Sequence, residues 1–149
     1  MARFQYKMQN ILDIKYKLET QAKTAFAEAA ARLAYEEERL RELRERRAAY
    51  EEEAKELVSS KLEVRKIQEC RLAIEVMKEY IKNQLVAVHI AQRNLESARI
   101  RLNDVMTERK THEKLKEREF EEFKREVEGE ESKAIDELVS YSYRGKMTE

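Results

Sequence analysis

Apolar side chains recur at alternating steps of three and four residues between residues 67 and 105. An undistorted helix would rotate such a stripe away from its partner, so a strict seven-residue repeat held over this length favours a left-handed coiled coil. The stripe therefore predicts a long helix that packs against another helix. Its positions are Ile67, Cys70, Ile74, Met77, Ile81, Gln84, Val88, Ala91, Leu95, Ala98, Leu102 and Val105.

Composition agrees with an all-α fold. The chain contains no proline and two glycines, and 42% of its residues are Asp, Glu, Lys or Arg. This composition is typical of long helices and leaves too few apolar residues for a thick globular core.

The first half carries a weaker apolar stripe. If Leu57 lies opposite Ile67 in an antiparallel pair, Phe4 lies beside Phe120 and Ala29 lies near Leu95. The stripe comprises Ile11, Ile14, Leu18, Ala22, Ala25, Ala29, Leu33, Leu40, Leu43, Tyr50, Ala54 and Leu57.

We therefore predict one domain over residues 1–149, a long antiparallel two-helix coiled-coil hairpin. Helix one covers about 4–57, the turn about 58–62, and helix two about 63–142. Helix two overhangs helix one at its C-terminal end and is followed by a short tail.

The turn is predicted from Ser59 and Ser60, because serine side chains compete for backbone hydrogen bonds. Ser60 to Glu63 also fits the S-x-x-E capping box at the start of a helix. The alternative is one unbroken helical rod that self-associates.

Beyond Val105 the stripe meets Arg109 and His112 and resumes in shifted phase at Phe120. This shift corresponds to a four-residue insertion, which predicts local unwinding. Gly145 is predicted to cap helix two, and Gly129 to be tolerated on an exposed face.

Residues that carry chemistry are scarce. His89 and His112 have no glutamate three positions before them, and Cys70 is the one cysteine, so neither a metal site nor a disulfide is expected. The two glycines cannot form a nucleotide-binding loop. A thin two-helix rod would also offer no dry pocket for paired carboxylates, so we expect no cofactor and no catalysis.

Charge and hydropathy limit the partners and the location. Basic and acidic residues number 31 each, which disfavours nucleic-acid binding. No apolar run suits a secretory signal or membrane insertion. The cytoplasm is the expected location.

Three stretches of the sequence resemble the flagellar type III export protein FliJ family. They are "RFQYKMQNILDIKYKLE" at the start, "ERKTHEKLKEREFEEF" late in helix two, and "EESKAIDELVSYSYRGK" near the end. Their order and spacing extend the resemblance over nearly the whole chain.

The resemblance implies a non-enzymatic, stalk-like subunit of the flagellar export apparatus. It would bind the hexameric export ATPase through the end where the termini meet, and the cytoplasmic domain of the export gate through early helix two. Some members of the family also handle export chaperones. Such a subunit would be peripherally associated with the inner face of the membrane and would serve motility and chemotaxis.

Carried to this sequence, the resemblance implies two sets of contact residues. The residues expected at the export gate are Met77, Tyr80 and Gln84, along a stripe that begins at Ala73. The residues expected at the export ATPase are Phe4, Tyr6, Ile11, Asp136 and Glu137. The alternative function is a self-associating structural coiled-coil adaptor.

Overall fold

The computed structural model describes residues 3–60 and 63–147, with side chains as far as residue 145. It contains helix α1 (Gln9–Ser59) and helix α2 (Val64–Met147), and no strand occurs in these ranges. The prediction of an all-α two-helix hairpin is confirmed.

Contacts divide the chain into two units, and both helices contribute to each. The terminal unit comprises the residues up to Thr20 and those from Asp104 onward, and the turn unit comprises Gln21–Asn103. In the turn unit, Leu40 of α1 packs with Ile81 and Val88 of α2. In the terminal unit, Phe4 lies against Phe120 with ring centroids 5.1 Å apart, which confirms the predicted antiparallel register.

All twelve positions of the α2 stripe are buried or half-buried, as the seven-residue repeat predicted. Because one neighbouring helix covers only one side of α2, many of these side chains keep partial exposure. The accessible surface of 12359 Å² exceeds the roughly 8,000 Å² expected for a compact monomer of this mass. The core is therefore thin.

The α1 stripe is partly wrong in its first half, where Ile11, Ile14 and Ala25 are exposed. Leu12 is 1% exposed, whereas Ile11 is 38% and Ile14 is 53% exposed. The interface passes through Leu12 and Glu19 because Glu19 is paired across it with Arg109. Apolar spacing alone indicates the neighbouring face of α1.

The helix ends also differ from prediction. Residues 3–6 are not helical, and α1 begins at Gln9 rather than near residue 4. The Ser60 hydroxyl donates to the Glu56 carbonyl at 2.9 Å, so Ser60 closes α1 instead of capping α2. Two residues of the predicted turn, 61 and 62, lie outside the described ranges.

Neither glycine interrupts α2. Gly145 lies within the helix without a positive φ, so the predicted cap there is wrong, and α2 continues to Met147, the last residue that the structure describes. A Cβ added to Gly129 would meet no atom within 4 Å, which confirms that its face is open.

Beyond Val105 the buried face of α2 continues through polar residues. Arg109, His112 and Lys116 are half-buried, so charged and polar side chains occupy interface positions there. After Val127 every described side chain of α2 is exposed as far as residue 145, which confirms the predicted overhang.

Replacing Leu12 with alanine should lower the free energy of unfolding by about 2–5 kcal/mol, because a fully buried leucine is lost from a thin interface. Replacing the exposed Ile14 with alanine should change it by less than about 0.5–1 kcal/mol. Chemical denaturation followed by circular dichroism measures both. Equal losses would contradict the assignment of Leu12 to the interface.

Candidate functional site

A groove of about 330 Å³ lies beside the seam of the turn unit. Both helices line it: α1 supplies Arg39, Leu43 and Arg46, and α2 supplies Tyr80, Asn83 and Gln84. Leu43 and Tyr80 provide apolar surface, and the remaining side chains provide hydrogen-bond donors. Tyrosine and arginine in one groove are typical of the residues that dominate protein–protein binding.

A buried polar contact holds the floor of this groove. The Gln84 amide nitrogen donates to the Glu36 backbone carbonyl at 2.9 Å and also to the Glu36 carboxylate. The same carboxylate accepts from Arg32 one turn earlier on α1, at 2.8 Å. Glu36 is therefore buried with its charge paired, which avoids the cost of an isolated buried carboxylate.

The three residues predicted for the export gate occupy different environments. Met77 and Gln84 are buried in the seam, whereas Tyr80 is 52% exposed. The structure brings Tyr80 and Gln84 together in the groove, with Gln84 at its inner wall. Met77 is not among the residues that line it.

Sequence reasoning missed Arg39 and Arg46, which come from the other helix. The antiparallel register contained the signal, since it places Leu43 across from Ile81, the neighbour of Tyr80 in the chain. Arg39 donates to the Tyr35 hydroxyl at 3.5 Å. Within the described ranges, no ion pair links Arg46 to an acidic side chain, so its charge is available to a partner.

The five residues predicted for the export ATPase all fall in the terminal unit. Phe4 contacts Phe120 and Phe123, with centroids 5.1 and 5.5 Å away, and Tyr6 is buried. Ile11 is exposed, as are Asp136 and Glu137 on the overhang.

The overhang of α2 carries an exposed apolar surface. Its members are Ile135, Leu138, Val139, Tyr141 and Tyr143, between 60% and 79% exposed. A shallow groove of about 310 Å³ runs among Leu138, Val139, Ser142 and Tyr143. Apolar spacing predicts Leu138 and Tyr141 as a continuation of the stripe of helix two, and both remain exposed.

A polar network joins the helices of the terminal unit. The Arg109 guanidinium donates to both Glu19 oxygens, from Nε at 2.6 Å and from Nη2 at 3.2 Å. It also donates to Glu113 at 3.0 Å, and the Tyr16 hydroxyl donates to the same carboxylate. These bonds to Tyr16 and Arg109 hold the pKa of Glu113 below its ordinary value, and the bond to Glu113 raises the pKa of Tyr16.

Comparison with known proteins adds to these features. Residues 4–148 match the profile of the family described as Flagellar FliJ protein. The chain belongs to the flagellar FliJ protein family. The FliJ-family match covers nearly the whole chain, as the resemblance of its three stretches had indicated. No curated protein matches the sequence significantly.

The fold of this FliJ-family chain is also similar to a solved structure of a YscO homolog from Chlamydia trachomatis. The TM-score is 0.75, the sequence identity is 21%, and 99% of each chain is covered. At this identity the likeness concerns the fold. FliJ-family membership makes the chain a component related to type III protein export.

Neither described helix has a segment long and apolar enough to span a bilayer. Among the described residues, no three His, Cys, Asp or Glu side chains are grouped to hold a metal ion.

Stability should fall in acid partly through Glu113. Because the folded-state pKa of Glu113 is lowered, its carboxylate stabilises the fold fully at pH values above its ordinary pKa of 4.5. This stabilisation is lost as the pH falls through the lower folded-state pKa. Denaturant titrations between about pH 6 and pH 3 should therefore show a shallower loss in Glu113→Gln than in the unmodified protein. Glu121→Gln, an exposed change on the same helix, should keep the original slope. Identical slopes for both variants would refute this role.

Proposed function

We propose that this FliJ-family chain is the stalk-like accessory subunit that binds the hexameric export ATPase and links it to the export gate. One observation carries the proposal: in a chain of this family, α2 continues past the last residue that α1 covers and exposes apolar side chains there. A solitary helix of this kind can enter a ring-shaped partner.

The proposed ATPase contact is the overhang of α2. Leu138, Val139 and Tyr143 supply apolar area, and Asp136 and Glu137 supply negative charge beside it. Phe4 and Tyr6 act indirectly, because their packing anchors the chain ahead of α1 against α2. Ile11 is the exposed member of the N-terminal set and is available for direct contact.

The proposed gate contact is the groove around Tyr80. The exposed ring of Tyr80 and the Arg46 guanidinium would contact the cytoplasmic domain of the gate. Gln84 and Met77 would support this surface from within, since both side chains are buried. The site therefore uses residues from both helices.

The remaining parts of the proposal follow from the same role. The subunit performs no catalysis, takes no cofactor, contacts export chaperones as an escort, and stays at the cytoplasmic face of the membrane through the apparatus. A thin two-helix interface has no deep, dry cavity in which paired carboxylates could be tuned for catalysis.

A self-associating adaptor is the second candidate function, and the exposed apolar surface of the overhang favours it. Two copies could bury Leu138 and Val139 against each other. Light scattering distinguishes the two functions, because the stalk requires a monomer whereas the adaptor requires a dimer. Leu138→Glu should prevent formation of that dimer.

Leu138→Glu should weaken association with the purified export ATPase at least about tenfold, because it places a charge in an apolar contact. Leu72→Glu is the matched control, since Leu72 is 67% and Leu138 is 66% exposed. Surface plasmon resonance and ATPase turnover measure the effect. If the unmodified chain neither binds the ATPase nor changes its oligomerisation or turnover, the proposal fails.

Tyr80→Ala should weaken binding to the purified cytoplasmic domain of the gate about tenfold or more, because an exposed aromatic anchor is removed. Tyr141→Ala should leave that binding unchanged, and Tyr80→Ala should leave ATPase association unchanged. Titration calorimetry measures the affinities. If Tyr80→Ala loses both associations while it remains folded, the proposal of separate sites for the gate and the ATPase is wrong.

A further inference from the structure

The longest uncharged run of the sequence lies in the middle of α2. Residues 83–92 contain no Asp, Glu, Lys or Arg, in a chain of which 42% is charged. The whole run belongs to the turn unit. A helical segment that is apolar on most of its circumference is normally covered on more than one side.

The seam with α1 covers only one side of this run. Gln84, Val88 and Ala91 are buried there. In contrast, Leu85 is 44%, Val86 is 57% and Ile90 is 53% exposed, and His89 is exposed beside them. Packing within the described residues therefore does not explain why this outer surface lacks charge.

The exposed members form one compact patch. At roughly 100° per residue, the positions of Leu85, Val86, His89 and Ile90 fall within an arc of about 140°. Tyr80, the exposed aromatic residue of the groove, lies roughly 150° from the centre of that arc, so the patch and Tyr80 face different sides of α2. It does not depend on the function proposed above.

Two basic residues border the patch. Lys82 precedes it and Arg93 follows it, eleven residues apart. Eleven residues are close to three helical turns, so both cations share the azimuth of the patch and lie about 16 Å apart along the helix. Each is four residues from a patch member, a spacing that brings helical side chains together.

Neither bordering cation is neutralised within the described residues. Lys78 is paired with Glu75 and Arg99 with Glu96, but no ion pair holds Lys82 or Arg93. An exposed apolar patch with an unpaired cation at each end is complementary to a surface with apolar residues between two carboxylates.

We propose that this patch is a docking face for an acidic amphipathic helix of a partner protein. The partner helix would lay an apolar stripe over Leu85, Val86, His89 and Ile90. A carboxylate near each end of that stripe, about three turns apart, would pair with Lys82 and Arg93. Apolar burial supplies affinity, and the two ion pairs fix the alignment.

Synthetic helical peptides test the proposal directly. One peptide carries an apolar i, i+3, i+4, i+7 stripe between two glutamates eleven residues apart, and a second peptide carries lysines in their place. With the full-length protein, the glutamate peptide should bind at least about tenfold more tightly by fluorescence anisotropy. Amide shifts in NMR spectra should centre on residues 82–93.

Charge reversal on the protein provides the decisive comparison. The double variant Lys82→Glu/Arg93→Glu should reverse the preference in favour of the lysine peptide. The matched control Lys78→Glu/Arg99→Glu changes two cations of the same helix that are already paired and should keep the original preference. The double variant Val86→Ser/Ile90→Ser should bind both peptides more weakly, while the helix content of the protein, measured by circular dichroism, stays unchanged.

Several results would overturn the proposal. Equal affinity for the two peptides would show that Lys82 and Arg93 do not pair with carboxylates of the partner helix. Amide shifts outside residues 82–93 would show that the peptide binds elsewhere. Binding of phosphatidylserine vesicles through the patch without binding of the peptide would make it a lipid-binding surface. Dimerisation that Val86→Ser/Ile90→Ser abolishes would make the occupant a second copy of the chain.

Discussion

The antiparallel register of α1 against α2 determines the surfaces that both helices build, and polar contacts across the seam help to specify it. Gln84 bonds to Glu36 in the turn unit, and Arg109 bonds to Glu19 in the terminal unit. A buried polar or charged group that loses its partner is destabilising, whereas apolar side chains tolerate a new neighbour of similar size. A slip by one heptad would keep apolar contacts but separate both polar pairs. Such pairs therefore make one register more stable than its neighbours.

Register matters for function because the groove is assembled from both helices. Tyr80 belongs to α2, whereas Arg39 and Arg46 belong to α1, and only the observed alignment places them along one opening. The Glu36 carboxylate that bonds Gln84 also pairs with Arg32, so the contact that sets the register also closes the inner wall of the groove. The contact that helps to set the register and the proposed recognition site thus share residues, as expected of a chain with a thin core.

Most of the fold could be predicted from the sequence, and the errors in the interface have one physical cause. The stripe of α2 and the contact between Phe4 and Phe120 followed from apolar spacing and an antiparallel register. Periodicity treats a charged side chain as solvent-facing, so it predicts Ile11 and Ile14 at the interface and a break at Arg109. The pairing of Glu19 with Arg109 makes both residues interface residues. That pairing joins residues ninety positions apart, so it is invisible until the partner helix is in place.

The candidate sites were less predictable, because the residues carried over from the resemblance specify positions along a helix but not exposure. Met77 and Tyr80 are three residues apart, yet one is buried in the seam and the other is half exposed. In a two-helix protein this difference depends only on where the single neighbouring helix lies. The overhang shows the same dependence: the spacing that buries the seam continues through Ala134, Leu138 and Tyr141, but α1 does not extend alongside. An apolar surface for a partner therefore arises without a new sequence pattern, because one helix ends before the other.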